Sequence, residues 1–525
     1  MNFMNALKNT LDEDANVSLT ENGAIGYRTS GKALLDINFA VSSLRSASEN
    51  EIARKFIAAF AEDKVLAVKW LFFARDARQG LGERRLFRVI LSNIVKSNPE
   101  IVQSVIGLVP EYGRWDDLLC LLDCNNAQIT DSVINLISHQ LAADLENCKA
   151  NKPISLLAKW LPSTNASSAR TKKYARQICK ALHFTERSYR KILSQLRAYL
   201  KVVEVNMSAK QWSEIEYDTV PSRANLIYNN AFLRNDEERR RAYLSSLEKG
   251  DVKINASVLY PHDIVHKYGF GYSGINKAKD ATVEALWKAL PDTVKGCGNT
   301  IVVADGSGSM TSTVGGGSSV KALEVAAALA VYFAEHSSGE FKDKYITFSE
   351  NPRFVDFSHC TSLHDKLRVA YSHDEVANTN IEKVFDLILT TAIRNHSKQE
   401  DLPKNILIIS DMEFDSCATS GTTTTNRYGW GCGPCIAPDA KLFNVIKQRY
   451  LDAGYQMPRL IFWNVCSRTG TIPIKENDLG VALVSGFSTN VAKMVMSGKL
   501  DPYECLLETL NSERYFPVEE ALQNA

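Results

Sequence analysis

No stretch of about eighteen consecutive apolar residues occurs in the chain, which argues against a membrane-spanning helix. Met1 to Asp14 carries no basic segment followed by an apolar core, so no signal peptide is expected there. The histidines include no H-E-x-x-H, and there is neither a Walker A loop nor a G-x-S-x-G elbow. Zinc-hydrolase, P-loop nucleotide and α/β-hydrolase chemistry are therefore not expected, and nothing else marks a catalytic residue. The expectation is a protein that binds, without enzymatic activity and without a nucleotide cofactor. Eleven cysteines over 525 residues form an odd, scattered set, as free thiols in a reducing compartment would, so a cytoplasmic protein is expected.

What is present is a globular composition, 45% hydrophobic and 23% charged, with length for two or three domains. The net charge of +1 conceals an asymmetry. Residues 1–290 hold 40 Lys and Arg against 32 Asp and Glu, whereas residues 291–525 hold 21 against 28. Lys149 to Lys210 contains 14 basic residues, with Glu186 and Glu204 the only acids, a footprint for a polyanion. Within it, Lys172-Lys173-Tyr174-Ala175-Arg176 and Arg187-Ser188-Tyr189-Arg190-Lys191 interleave cations with aromatics. That pattern offers phosphate contacts and stacking faces, with too few local acids to neutralise it. The plainer alternative is a solvated helix face balanced by the acidic second half.

Arg75, Arg78, Arg84, Arg85 and Arg88 form a second cluster beside Gly80 and Gly82. The arginine fork suits phosphate oxygens, but Asp76 and Glu83 make internal ion pairs an equal alternative. Arg239-Arg240-Arg241 follows Asp236-Glu237-Glu238 and reads as a charge-paired, solvated helix. Gly431-Cys432-Gly433-Pro434-Cys435 lies in a Gly/Thr-rich insertion, Ser416 to Pro438. A structural zinc at Cys432 and Cys435 is possible there, though a loop clasp or free thiols is the simpler reading. Cys120-x₃-Cys124 in a Leu-rich stretch reads as core packing.

From about Ile52 to Leu290 apolar residues recur at helical spacing, and prolines punctuate the segments. Helices are predicted over 65–74, 86–95, 131–145, 174–182, 188–200 and 283–290. Their succession predicts a HEAT-like repeat ring or solenoid. After Gly296-Cys297-Gly298-Asn299 apolar strands alternate with helices, as in a doubly wound α/β sheet. Strands are predicted over 300–304, 344–348, 405–410, 459–465 and 480–484, and helices over 319–337, 381–395, 440–453 and 490–497. The expected division is an N-terminal extension (1–50), a helical domain (51–295), an α/β domain (296–500) and a helical tail packing back on the helical domain (501–525).

Asp305-Gly306-Ser307-Gly308-Ser309 sits where the 300–304 strand ends. A carboxylate and two hydroxyls on a tight turn are hard oxygen donors of the kind Mg²⁺ or Mn²⁺ takes. This D-x-S-x-S pattern resembles the metal-ion-dependent adhesion site of von Willebrand factor A (vWA) domains. Thr379, before the helix at Ile381, and Asp411, after the strand 405–410, match that family's two later ligand positions. The resemblance implies that Ser307 and Ser309 bind metal directly. Asp305, Thr379 and Asp411 would bind directly or through water, leaving one position open for a partner's carboxylate. The alternative is that the serines cap the next helix and Asp411 is a turn residue.

A helical half followed by a vWA domain resembles the Ro autoantigen family (TROVE plus vWA). Tyr260-Pro261-His262-Asp263-Ile264-Val265 with Tyr268-Gly269-Phe270-Gly271 matches its segment just before the vWA domain. Arg75–Arg85, Pro110-Glu111-Tyr112-Gly113-Arg114-Trp115-Asp116-Asp117-Leu118, Phe462-Trp463-Asn464-Val465 and Val484-Ser485-Gly486-Phe487 are closer to a poorly characterised bacterial and phage TROVE-related vWA family. The resemblance implies binding of structured noncoding RNA through a basic helical surface. RNA contacts would come from Lys172, Lys173, Arg176, Arg187, Arg190 and Lys191, and from Arg75, Arg78, Arg84 and Arg85. The alternative is a metal-dependent protein-interaction adaptor without RNA. A metal-dependent nuclease using Asp305, Asp411, Glu413 and Asp415 ranks last, because such a site holds one metal and no general base.

Overall fold

The computed structural model describes residues 25–271, 274–294, 299–349, 351–373, 381–413, 440–468, 470, 472, 481–492 and 501–523, with residues 4, 7–8, 11 and 15–19 near the start. Two compact units are built from interleaved segments: one from Met1–Glu62 and Leu259–Thr509, the other from Asp63–Val258 and Leu510–Ala525.

The first unit contains two small antiparallel ribbons, β1 (Val17–Leu19) with β2 (Ile25–Tyr27) and β3 (Phe270–Gly271) with β4 (Gly274–Ile275). Its centre is a six-stranded sheet of β5 (Thr300–Asp305), β6 (Lys344–Phe348), β7 (Phe354–Asp356), β8 (Asn405–Ser410), β9 (Arg459–Asn464) and β10 (Val481–Ser485). The order is β10-β9-β8-β5-β6-β7, parallel throughout except for β7, which runs antiparallel at the edge. Strands with both faces covered need side chains buried on both sides, so β5, β8 and β9 are almost continuously apolar. One face carries Val303, Ile406, Ile408, Leu460, Phe462 and Leu483, packed with Val384, Phe385, Ile446 and Tyr450 of the helices Ile381–Arg394 and Ala440–Asp452. The helix Ala322–His336 packs against β5, β6 and β8, and its Phe333 ring meets Trp463 edge-on at 5.2 Å. That helix is buried almost all round, because Pro261–Tyr268 packs against it as well.

The early segment belongs to this sheet too. Phe39 joins the core, and the Ser42 amide donates to the Ser485 hydroxyl at 3.2 Å. His262 and His266, four apart on Pro261–Tyr268, have a metal-pair spacing but do different jobs. The His262 ring packs against Tyr260 and Phe487, while His266 bonds to Glu324 at 2.9 Å.

The second unit is helical: Lys64–Arg75, Arg84–Ser97, Pro99–Val105, Ala127–Lys149, Ala169–Ala181, Glu186–Tyr199, Ser222–Asn235 and Glu237–Lys249 are its longer elements. Several starts are written in the sequence as capping residues. Asp63, Asn126, Ser168 and Thr185 each accept from an amide in the first turn. Phe516–Gln523 closes this unit against Lys64–Arg75 and Pro99–Val105. Tyr515 stacks on Tyr112 at 5.8 Å, and the buried Lys69 ammonium is met by Glu519 and Asn511, both at 2.8 Å.

Arg240 departs from the expected solvated helix. Its neighbours Arg239 and Arg241 pair with Asp236 and Glu237 as expected, but Arg240 is fully buried. Its guanidinium lies among the Tyr217, Phe232 and Tyr243 rings and donates to Asn225 and Asn229. Charge order along the chain does not reveal which arginine of a run turns inward.

Candidate metal site and cationic surface

β5 and β8 are adjacent parallel strands, with Ala304 opposite Ile409, so Asp305 and Asp411 leave their carboxyl ends side by side. The strand order reverses at this pair, with β9 and β10 on one side and β6 and β7 on the other. At such a switch point the outgoing loops diverge and leave a crevice, the usual ligand position in open α/β sheets.

Asp305 is held from both sides: the Ser307 amide donates to it at 2.9 Å and the Ser410 hydroxyl at 2.6 Å. The Ser307 and Ser309 hydroxyls lie 2.9 Å apart, and Ser309 in turn hydrogen-bonds the Asp411 carboxylate. Asp411 also accepts from the Glu413 amide at 3.2 Å and lies 3.4 Å from the Arg468 guanidinium. Asp305 and Asp411 are each only 2% exposed. Burial first, and then the Asp305 charge, push the Asp411 carboxyl up to about 7, against the opposing pull of Ser309 and Arg468.

This is a donor set that fits a hard divalent cation. Two buried carboxylates that cannot both ionise freely are relieved by a cation between them, and Ser307 and Ser309 add neutral oxygens. Among the described residues no three His, Cys, Asp or Glu side chains gather into a metal cluster, so hydroxyls would have to complete this one. Thr379, the remaining sequence-predicted ligand, lies outside the described residues, as do Asp415, Cys432, Cys435 and the Ser416–Pro438 insertion. Ser410 and Arg468 are partners that sequence reasoning missed. Ser410 is concealed as the last residue of an apolar strand, and Arg468 arrives from the loop after β9 with no local signal. The described cysteines are free thiols, and burial pushes the Cys120 thiol up to about 12.

The sequence-predicted RNA contacts divide into several kinds. Lys173 pairs with Asp123 at 2.7 Å and Arg176 with Glu186 at 3.2 Å, while Lys172 is half-buried. Neutralisation therefore comes partly from Asp123, an acid outside the basic segment. Arg187, Arg190 and Lys191 are exposed. The expected stacking faces are not there: Tyr174 and Tyr189 are buried, with hydroxyls bonded to Asp123 and to the Pro162 carbonyl. An aromatic four residues from another apolar position on one helix face is more readily core than platform.

In the earlier cluster, Arg75 is only 2% exposed and its guanidinium pairs with Asp117 at 2.7 Å, so it neutralises a buried acid. Arg78 donates to the Glu111 carbonyl at 2.7 Å, while Arg84 and Arg85 reach solvent.

Fold and site together define a protein of two parts: a helical unit and a doubly wound α/β unit with a cluster of oxygen donors at its switch point. Residues 119–300 match the domain of unknown function DUF2828, and residues 299–518 match the domain of unknown function DUF7788. Uncharacterized protein L728 of Acanthamoeba polyphaga mimivirus is 31% identical over 543 residues, covering 96% of this chain and 89% of the viral protein. The chain belongs to the family of that viral protein. Among solved structures, the Deinococcus radiodurans Ro protein (RSR) is similar at 13% identity with a TM-score of 0.45, covering 88% of this chain and 99% of that one.

Proposed function

We propose that the chain binds structured noncoding RNA on the cationic surface of its helical unit, and that its α/β unit is a vWA-type domain carrying Mg²⁺ or Mn²⁺. The observation that carries the RNA reading is the helix pair Ala169–Ala181 and Glu186–Tyr199. Lys180, Arg187, Arg190 and Lys191 of these helices are exposed, and Glu186 is the only acid on either. Phosphate contacts by such residues release condensed counterions, so affinity should fall steeply with salt. Sequencing of RNA that co-purifies with the full chain is the direct test. A chain that retains no cellular RNA at moderate salt removes this reading.

The metal would be held by Asp305, Ser307, Ser309 and Asp411, with Thr379 as a further ligand. It would supply a Lewis-acidic centre for an incoming oxygen ligand, while the protein's own residues orient the site: Ser410 fixes Asp305 and Arg468 fixes Asp411. The same carboxylate pair favours a second reading, an adaptor that recruits a carboxylate-bearing protein through the metal and binds no RNA. Partner capture that survives RNase treatment but is lost in EDTA supports the adaptor.

A further inference from the structure

Two glycine-bearing segments, Arg75–Arg85 and Pro110–Leu118, meet within the helical unit around a pair of aspartates. Asp117 is fully buried and saturated with donors. Arg75 Nε reaches it at 2.7 Å, Arg88 Nε at 2.7 Å and the Arg114 amide at 2.9 Å. Arg88 also bonds Asp116 at 2.9 Å. The glycines make this approach possible. A Cβ on Gly113 would fall 2.6 Å from Asp117 Oδ2 and 2.9 Å from Arg75 Nε, and one on Gly80 would fall 2.0 Å from the Phe73 carbonyl oxygen. Nearby acids Asp76 and Glu111 are already engaged by Arg514, at 2.9 and 2.8 Å.

The two aspartates thus serve Arg75 and Arg88, and two more arginines face the same place. Arg84 and Arg114 make no ion pair among the described residues. The Arg114 guanidinium carbon lies over the Trp160 ring, 4.3 Å from its centroid, a cation–π contact that holds the group in place. Arg114 is half-buried and Arg84 reaches solvent. Desolvation, and then the Arg84 charge, lower the Arg114 guanidinium to about 10. Desolvation lowers Arg84 too, with Arg88 and Arg75 working against Asp116 and Asp117. Asp116 and Asp117 attract these two cations as well, but two carboxylates are shared among four guanidinia, Arg75, Arg84, Arg88 and Arg114, so positive charge is in excess.

We propose that Arg84 and Arg114 form a seat for a phosphate group. A phosphate supplies the negative charge that this corner lacks, and its oxygens match the planar forks of two guanidinia. Trp160 keeps one fork in place, while the glycine-fitted Arg75–Asp117–Arg88 network behind holds the seat in shape. As a phosphodiester of an RNA strand, the ligand rests on the RNA reading. Inorganic pyrophosphate is the same chemistry without the strand.

The test uses the full chain and fluorescein-labelled twelve-residue oligouridylate, measured by anisotropy across a salt series, with pyrophosphate titrated separately by calorimetry. Arg84→Gln/Arg114→Gln should weaken oligouridylate binding about tenfold and make the salt slope shallower by about 0.7 for each phosphate that is no longer neutralised. It should also abolish any pyrophosphate heat. Arg84→Gln alone, at an exposed position, keeps the test valid if the double variant does not fold, with an expected loss of about threefold. Wild-type affinity and slope in these variants, alongside weakened binding in Arg187→Glu/Arg190→Glu/Lys191→Glu, overturn the seat and leave the RNA reading standing. If the wild-type chain binds no oligouridylate at low salt and retains no cellular RNA, the RNA reading fails. Pyrophosphate binding that depends on Arg84 then upholds the seat, and its absence overturns it.

Discussion

Two carboxylates buried beside one another cannot both ionise without cost, and at Asp305 and Asp411 that cost is visible in the raised Asp411 pKa. The sign of the consequence is definite. A carboxyl with a folded value near 7, above its unfolded value of about 4, binds more protons folded than unfolded between those pH values. Stability from this group is therefore present at low pH and lost as pH rises through 7. Metal-free wild type should lose stability relative to Asp411→Asn over that interval in urea titrations, and parallel profiles would refute the raised Asp411 value. Added Mg²⁺ should raise the melting temperature of wild type and leave Asp305→Ala unchanged. An equal Mg²⁺ shift in Asp305→Ala would remove that residue from the site. Asp305, Ser307 and Ser309 were legible as oxygen donors because a D-x-S-x-S turn after an apolar run is a local pattern, and Asp411 because it follows a second such run. Their supports, Ser410 and Arg468, were not, because each is defined by a neighbour across the sheet.

Helices and strands were legible where local chemistry and burial agree. β6 and β8 coincide with their predicted spans, since a parallel strand covered on both faces is a continuous apolar run. β7 and the helix Leu363–Ser372 were missed. β7 is a three-residue edge strand with Phe354 exposed, so it lacks that signature. On the basic helices periodicity marked the segments but not which residues face water. Tyr174 and Tyr189 fill the core side, and Lys173 and Arg176 are partly neutralised by acids, leaving Arg187, Arg190 and Lys191 as the freer cations. Reversing those three to Glu should weaken structured-RNA binding roughly tenfold or more, and more than reversing Lys172, Lys173 and Arg176. The opposite ranking in filter-binding measurements would place the contact on the other helix.

The helical unit takes its last helix from the far end of the chain. Leu510, Tyr515 and Val518 are buried, and Glu519 and Arg514 satisfy Lys69 and Asp76. Removing residues 510–525 takes three apolar side chains out of the core, each worth about 2 kcal/mol, and strands a buried ammonium. The truncated chain should lose the helical unit's cooperative melting transition at its wild-type temperature, and an unchanged transition would refute this closure. By itself the sequence determined the two structural classes, the strand that ends in Asp305, the strand that ends before Asp411 and the concentration of positive charge, because periodicity, turn chemistry and composition are local. Only the tertiary structure decided that Arg75 and Arg240 turn inward, and that the tyrosines of the basic helices are core. Those outcomes depend on which distant side chain supplies a partner in a low-dielectric interior, and sequence spacing carries no record of that.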